Sequence, residues 1–342
     1  MFTNTLSQIR AEACVPEQLP HYVQAMSPRQ GFVCEAYAAY QHEGHAVLVA
    51  YPGSASTRDF EAAAVLLCSQ TPPHTATPPV DAPCLDSPLN ILTSRGCTSV
   101  TVLSPFTPGE SPPKAVDQAV RDCYWQLPLP LARPGVKLRN MLSRAAREVN
   151  LQEEQWTRDH EELVEYYLRT RPLPAGTRAL FSSLNAYVNG SKKRDAPQAV
   201  MHMPQDDGKV LLLAARRHDA SLAAFAVGDY SSLTTAFYMF AFRYPDAPPG
   251  TADLLLSGLA QQGEMLGHKR INLGLGINEG IGFFKKKWGA IPYLPYVETS
   301  WQLQPGVKKQ PGIAGVLRKL LRRYGKIRAF PEPGSCRKAG GR

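Results

Sequence analysis

The sequence contains no apolar run approaching the ~18 residues a membrane span requires. Its first stretch, MFTNTLSQIRAEACVPEQ, lacks the charged start and apolar middle of a secretory leader. A cytoplasmic protein is therefore expected. The seven cysteines (Cys14, Cys34, Cys68, Cys84, Cys97, Cys123 and Cys336) form no C-x-x-C pair, and the eight histidines add no metal-ligand spacing. Reduced, structural thiols and no metal site are expected. Phosphate-loop motifs are missing as well. No G-x-x-x-x-G-K-[ST] occurs, and Gly274-x-Gly276 is followed by Asn278-Glu279-Gly280, one residue too long for G-x-G-x-x-G. A P-loop and a Rossmann site are both excluded by spacing.

Outside the last segment there is no excess of positive charge. The chain of 342 residues carries +9, yet Lys308 to Arg342 holds eleven Lys/Arg against the single acid Glu332, so everything before it sums to −1. In that tail Ile313, Val316, Leu317, Leu320, Leu321 and Tyr324 recur at helical spacing, opposite Arg318, Lys319, Arg322 and Arg323. Such a helix, over residues 308–328, suits tRNA phosphates, the anionic inner face of a membrane, or docking on the protein's own body.

The length favours two domains of ordinary size. Residues 1–132 read as mixed α and β. GFVCEAYAAYQHEGHAVLVAYP predicts two strands joined at Glu43-Gly44, and TRDFEAAAVLLCSQ a helix. The Pro-rich loop at 72–88 precedes a short helix, LNILTSRG, then a strand CTSVTVLSPF, a helix PKAVDQAVRD and a strand CYWQLPLPL. Residues 133–303 open on a basic helix, KLRNMLSRAAREV, with Leu138, Leu142 and Ala145 on its apolar side. A strand at VNLQEEQW and helices at DHEELVEYYLRTRP and TRALFSSLNAYVNG lead to three meandering strands and a long helix, TADLLLSGLAQQGEMLGH. Residues 304–342 form the basic tail.

The most informative stretch is INLGLGINEGIGFFKKKWGA, residues 271–290. Ile271, Leu273 and Leu275 alternate with Asn272, Gly274 and Gly276, which leaves one strand face bare for a ligand or another backbone. Asn278 is suited to cap a helix whose stripe is Ile281, Phe284 and Trp288, with Trp288 in the core.

This order of elements, closed by the aromatic strand YLPYVETSWQL, resembles the acyltransferase fold of the GNAT superfamily. The ending Phe284-Lys285-Lys286-Lys287-Trp288-Gly289 after a glycine-bearing strand is similar, more particularly, to Fem-type peptidyltransferases and phosphatidylglycerol aminoacyltransferases. The basic helix at 137–149 looks like the one that opens their catalytic half, and the resemblance covers about residues 136–303. It implies an α/β (α+β) chain of two tandem GNAT-like domains, each with a mixed, mostly antiparallel sheet, and an active cleft between the halves. It further implies acyl or aminoacyl transfer to a small-molecule or peptide amine, with acyl-CoA or an aminoacyl-tRNA as donor and no permanently bound cofactor. One departure stands against CoA. The usual glycine-rich cradle is replaced by Arg243-Tyr-Pro-Asp246-Ala-Pro-Pro-Gly250-Thr-Ala, where two prolines remove backbone donors.

Amide formation needs an oxyanion donor and a proton acceptor. Asp246 is the first candidate base and Glu298 the second, and Lys285 the candidate cation; turn, outward-strand and solvated-helix positions are the plain alternatives for the three. Gly250, Thr251, Gly274, Gly276 and Asn278 are candidates for holding the donor, and Arg139, Arg144 and Tyr244 for meeting an anion. A non-catalytic protein that kept the fold and binds RNA or anionic lipid through its tail is the alternative from another class.

Overall fold

The computed structural model describes residues 5–51, 85–105, 120–173, 175–190, 209–276 and 279–303. The helix expected at 57–70, nearly all of the Pro-rich loop, Asn278 and the tail helix lie outside the described residues. So does the helix expected over 113–122 as far as residue 119, and Val120 to Asp122 are already strand.

Alternation builds the second half. In β7 (Val210–Arg217), Leu211, Leu213 and Ala215 pack towards helix α8 (Thr251–Met265), while Val210, Leu212 and Ala214 meet α5 (Arg158–Thr170) and α7 (Leu184–Gly190) on the other face. The stripe Leu255, Leu256 and Leu259 of α8 is buried, and each such leucine contributes about 1.5–3 kcal/mol by leaving water. Strands β8 (Leu222–Asp229) and β9 (Thr235–Arg243) complete the meander, β6 (Val149–Glu154) edges it, and β10 (Arg270–Leu275), α9 (Glu279–Lys287) and β11 (Ile291–Gln302) follow. The basic helix is α4 (Val136–Glu148). The segment read as one helix over 177–190 is two, α6 (Ala175–Ser182) and α7, interrupted at Ser183.

The first half repeats that order. Helices α1 (Leu6–Ala11) and α2 (Pro20–Met26) precede a meander β1 (Gln30–Cys34), β2 (Tyr37–His42) and β3 (His45–Val49), followed by α3 (Asp86–Ser94), β4 (Ser99–Ser104) and β5 (Val120–Pro128). The stretch read as two strands here is three, because Glu35 at φ 56° turns the chain once more before the Glu43-Gly44 hairpin at φ 45° and 75°. Both halves thus run meander, helix, parallel strand, final strand: β3 and β4 pair in parallel, as do β9 and β10.

The mixed, mostly antiparallel sheet expected in each half is present, and among the described residues the two join into one sheet of eleven strands, ordered β1-β2-β3-β4-β11-β5-β10-β9-β8-β7-β6. Each half lends its final strand to the other: β11 lies between β4 and β5, and β5 between β11 and β10. The result is a tandem α/β fold in which the first half is reduced, with no counterpart of β6 among its described strands.

Candidate functional site

The parallel pair β9/β10 opens part way down. Register runs Arg270 with Thr235, Ile271 with Ala236 and Asn272 with Phe237, and then stops, although β9 continues to Arg243 and β10 to Leu275. Below the last pair, β9 loses its cover: Phe237 is fully buried, Tyr238, Met239 and Phe240 are half-buried, and Ala241 is exposed. The loss of cover coincides with the end of pairing to β10.

The departing strand is shaped by its own residues. Asn272 accepts the Gly274 N–H at 2.7 Å, and its amide donates to the Cys14 carbonyl at 2.9 Å and to the Tyr293 hydroxyl at 2.8 Å. Gly274 takes φ 75°, the left-handed region, inside a register shift against β5. At Gly276 a Cβ would sit 2.8 Å from Asp122 Oδ1, which accepts the Gly276 N–H at 3.1 Å. Of the bare face expected from the sequence, one glycine serves an uncommon backbone angle and the other the approach of an aspartate from the first half.

Lys285 reaches this point from α9. Its Nζ donates to Gly274 O at 2.7 Å and Leu275 O at 2.6 Å, and the residue is only 2% exposed. Burial lowers its pKa from 10.5 to about 7, the charge of Asp122 working the other way. Lys285, not part of the expected apolar stripe, is thus the buried residue of the helix. Ile281 and Phe284 are half-buried, and Trp288 packs with Phe284 against the α8 core while its Nε1 donates to Asp253 Oδ1 at 2.8 Å. Lys287 pairs with the same oxygen at 2.6 Å, which ties α9 to α8.

The other candidates are dispersed. Asp246 is 75% exposed and ion-paired with Arg217 at 3.0 Å. It lies on an open depression of about 540 Å³ lined by Arg147, Glu148, Arg217, His218 and Pro248, among which no splay residue figures. Gly250, at φ 90°, backs onto α4: a Cβ there would meet Met141 O and Cγ, both at 2.7 Å. Thr251 is buried, its hydroxyl donating to Pro248 O at 2.7 Å. Arg144 is exposed and pairs with Glu148 at 3.3 Å, Arg139 is half-buried on the same helix, and Tyr244 leans on Tyr166 with ring centroids 5.7 Å apart. Glu298 does not face outward: it is buried between Leu103 of β4 and Val120 of β5, accepting from the Tyr296 hydroxyl at 3.2 Å. Asn278 precedes the described part of α9.

Three contributors escaped the sequence reading: Asp122, Asn272 and the segment around Cys14. Asn272 alone left a local sign, a polar residue inside an apolar strand. Asp122 reaches the site through the strand exchange, and Cys14 through its carbonyl, which accepts from Asn272 and Tyr293. Among the described residues no group of three or more His, Cys, Asp and Glu is placed to hold a metal, and no helix is long and apolar enough to cross a membrane.

No protein-family model matches the sequence, and no curated protein is detectably similar to it. Solved structures are similar in fold. A conserved protein of unknown function from Bacteroides thetaiotaomicron superposes with a TM-score of 0.52 at 10% identity, over 86% of this chain and 95% of that one. L-PGS from Bacillus licheniformis gives 0.49 at 12% identity over 91% and 98%, and FemX 0.47 at 8% over 86% and 96%. The chain shares its overall fold with the first of these.

Proposed function

We infer that the chain is an acyl or aminoacyl transferase that forms an amide on an amine, using the opening between β9 and β10 to hold the donor carbonyl. One observation carries this reading: a lysine titrating near neutrality is buried at the mouth of that opening, anchored by two backbone carbonyls of the strand that departs. A cation fixed in a site of low dielectric stabilises a developing oxyanion more strongly than one in water. In its ammonium form it can also return a proton to the leaving group.

Acyl-CoA and charged tRNA are the candidate donors. The packing of Gly250 against the Met141 carbonyl favours the second, because a carbonyl oxygen stands where a pyrophosphate at the start of α8 would need backbone donors. Binding separates them. The full chain is titrated with acetyl-CoA, a long-chain acyl-CoA and a mixed pool of charged tRNA, at low and raised salt, and again without residues 304–342. Salt-sensitive tRNA binding without CoA affinity is the expected result. Saturable CoA binding would transfer the donor role to the thioester. Binding of neither, with a wild-type chain that transfers nothing, would leave the fold as a non-catalytic scaffold.

A further inference from the structure

Transfer from a carbonyl donor places negative charge on the carbonyl oxygen, and Lys285 is one donor for it. A second stands on the other strand of the opening. Tyr238 is the first residue of β9 beyond the last paired position, Phe237 with Asn272. Had the pairing continued, Leu273 would have lain opposite Tyr238, and the next residue of β10, Gly274, offers a carbonyl that Lys285 Nζ grips at 2.7 Å. The apex of the opening is thus bracketed by Tyr238 on the strand that stays and by Lys285 anchored to the strand that leaves.

The two also share a face of the sheet. Tyr238 packs against the core under α8 together with Leu273, Phe284 and Trp288. Phe284 immediately precedes Lys285 in α9, and Trp288 is tied to α8 through Asp253. The phenol is uncommitted. Tyr238 is half-buried and its hydroxyl makes no hydrogen bond to the described residues, whereas Tyr187 donates to Asp229, Tyr230 to Leu259 O and Tyr296 to Glu298. A tyrosine at this depth ordinarily finds a partner, so a hydroxyl without one beside an opening is available to a bound group. Burial, and then the charge of Asp253 from α8 and Tyr167 from α5, raise its pKa, which keeps it a protonated donor.

We propose that Tyr238 is a catalytic residue, its hydroxyl donating to the donor's carbonyl oxygen so that Tyr238 and Lys285 together hold the oxyanion. This rests on the transfer reaction inferred above. The amine nitrogen bonds to the carbonyl carbon, and the π pair of the carbonyl moves onto oxygen, where the two donors meet it. That pair returns as the bond from the carbon to the leaving oxygen or sulfur breaks. The Lys285 ammonium gives a proton to the leaving group, and the amine it becomes takes the surplus proton of the acceptor nitrogen. Tyr238 keeps its own proton throughout. A donor fixed by packing on a strand needs no reorganisation when the charge develops, which is the condition under which such a hydrogen bond accelerates the step.

The test uses the full chain, with acetyl-CoA and a mixed charged-tRNA pool as donor probes and ethanolamine and phenethylamine as acceptor probes. Tyr238→Phe removes only the hydroxyl, and because that hydroxyl has no protein partner the unfolding midpoint in urea should match the wild type. The kcat should fall about 10²- to 10³-fold with the KM for the donor little changed, as for loss of one oxyanion donor. Incorporation of 3,5-difluorotyrosine at position 238 keeps a hydroxyl and should restore most of the lost kcat. Its more acidic phenol should ionise, and the rate be lost, at a lower pH than in the wild type, and this profile carries the test if Tyr238→Phe misfolds. A kcat in Tyr238→Phe equal to wild type, a loss confined to KM, or a pH profile that fluorination does not move would overturn the assignment and leave Tyr238 a packing residue. Absence of transfer by the wild-type chain with every probe would instead overturn the transferase reading, and this role with it.

Discussion

The burial of Lys285 makes stability depend on pH in a way that one substitution isolates. The amine titrates at about 7 in the folded chain and near 10.5 when exposed. Below the lower value both states hold the proton, and above the upper one neither does. Between them the unfolded chain binds more protons, so this group makes stability rise with pH by up to about 1.4 kcal/mol per unit. Lys285→Met fills similar space without titrating. Integrated over the two states, wild type should gain about 2 kcal/mol on the variant between pH 7 and pH 9. The assay is urea unfolding of both proteins at several pH values across that window. Only the change in their difference matters, because the lost hydrogen bonds to Gly274 and Leu275 offset the curves by a constant. Curves that stay parallel would refute a neutral, buried amine at this point. Asp122→Asn supplies the complementary arm: removing a charge that raises Lys285 should move its titration still lower and extend the divergence below pH 7.

Two further outcomes follow from individual contacts. Gly274→Ala places a Cβ at φ 75° and should cost about 1–2 kcal/mol in urea unfolding while disturbing a carbonyl that anchors Lys285, so that transfer falls more than stability does. Asp229 is fully buried, 2.6 Å from His21 of α2 and bonded to Tyr187 and Ser231; burial alone would raise its carboxyl, but His21, Ser231 and Tyr187 together hold it below its ordinary value. Asp229→Asn should therefore cost about 3–5 kcal/mol at neutral pH, and less as the pH falls through the lowered carboxyl and the wild type loses the same charge.

Local pattern made the second half legible. Alternation in β7 to β9, the leucine periodicity of α8 and the glycine-bearing strand before a capped helix are signals carried within a few residues of the element they specify. Strand exchange is not of that kind. Whether β11 pairs with β4 or with its own half depends on complementarity between segments about two hundred residues apart, and no short-range rule encodes it. The same reason hid Asp122, whose role comes from lying opposite Tyr296 in β11 and beside the end of β10. Lys285 was visible as a motif position, yet its burial was not, because three consecutive lysines ordinarily describe a solvated face. Gly274 and Gly276 were visible as a pair, but a sequence does not distinguish a left-handed backbone from a close approach.

The internal repeat explains why the site is asymmetric. In the first half β3 and β4 pair through all five positions from His45 to Val49, and the Tyr51 hydroxyl then bonds to Ser104 O at 3.2 Å and Pro295 O at 2.9 Å, closing the place that corresponds to the splay. In the second half the equivalent pair parts after Asn272, because that side chain turns to Cys14 and Tyr293 and Gly274 bends the strand away. The half that closed its own opening is free to lend side chains to the other. Cys14 and Asp122 support the departing strand. A two-fold arrangement that began with two equivalent clefts would in this way yield one, held open with support from the other copy. Separating the halves would then remove the site altogether, even where each retained its strands.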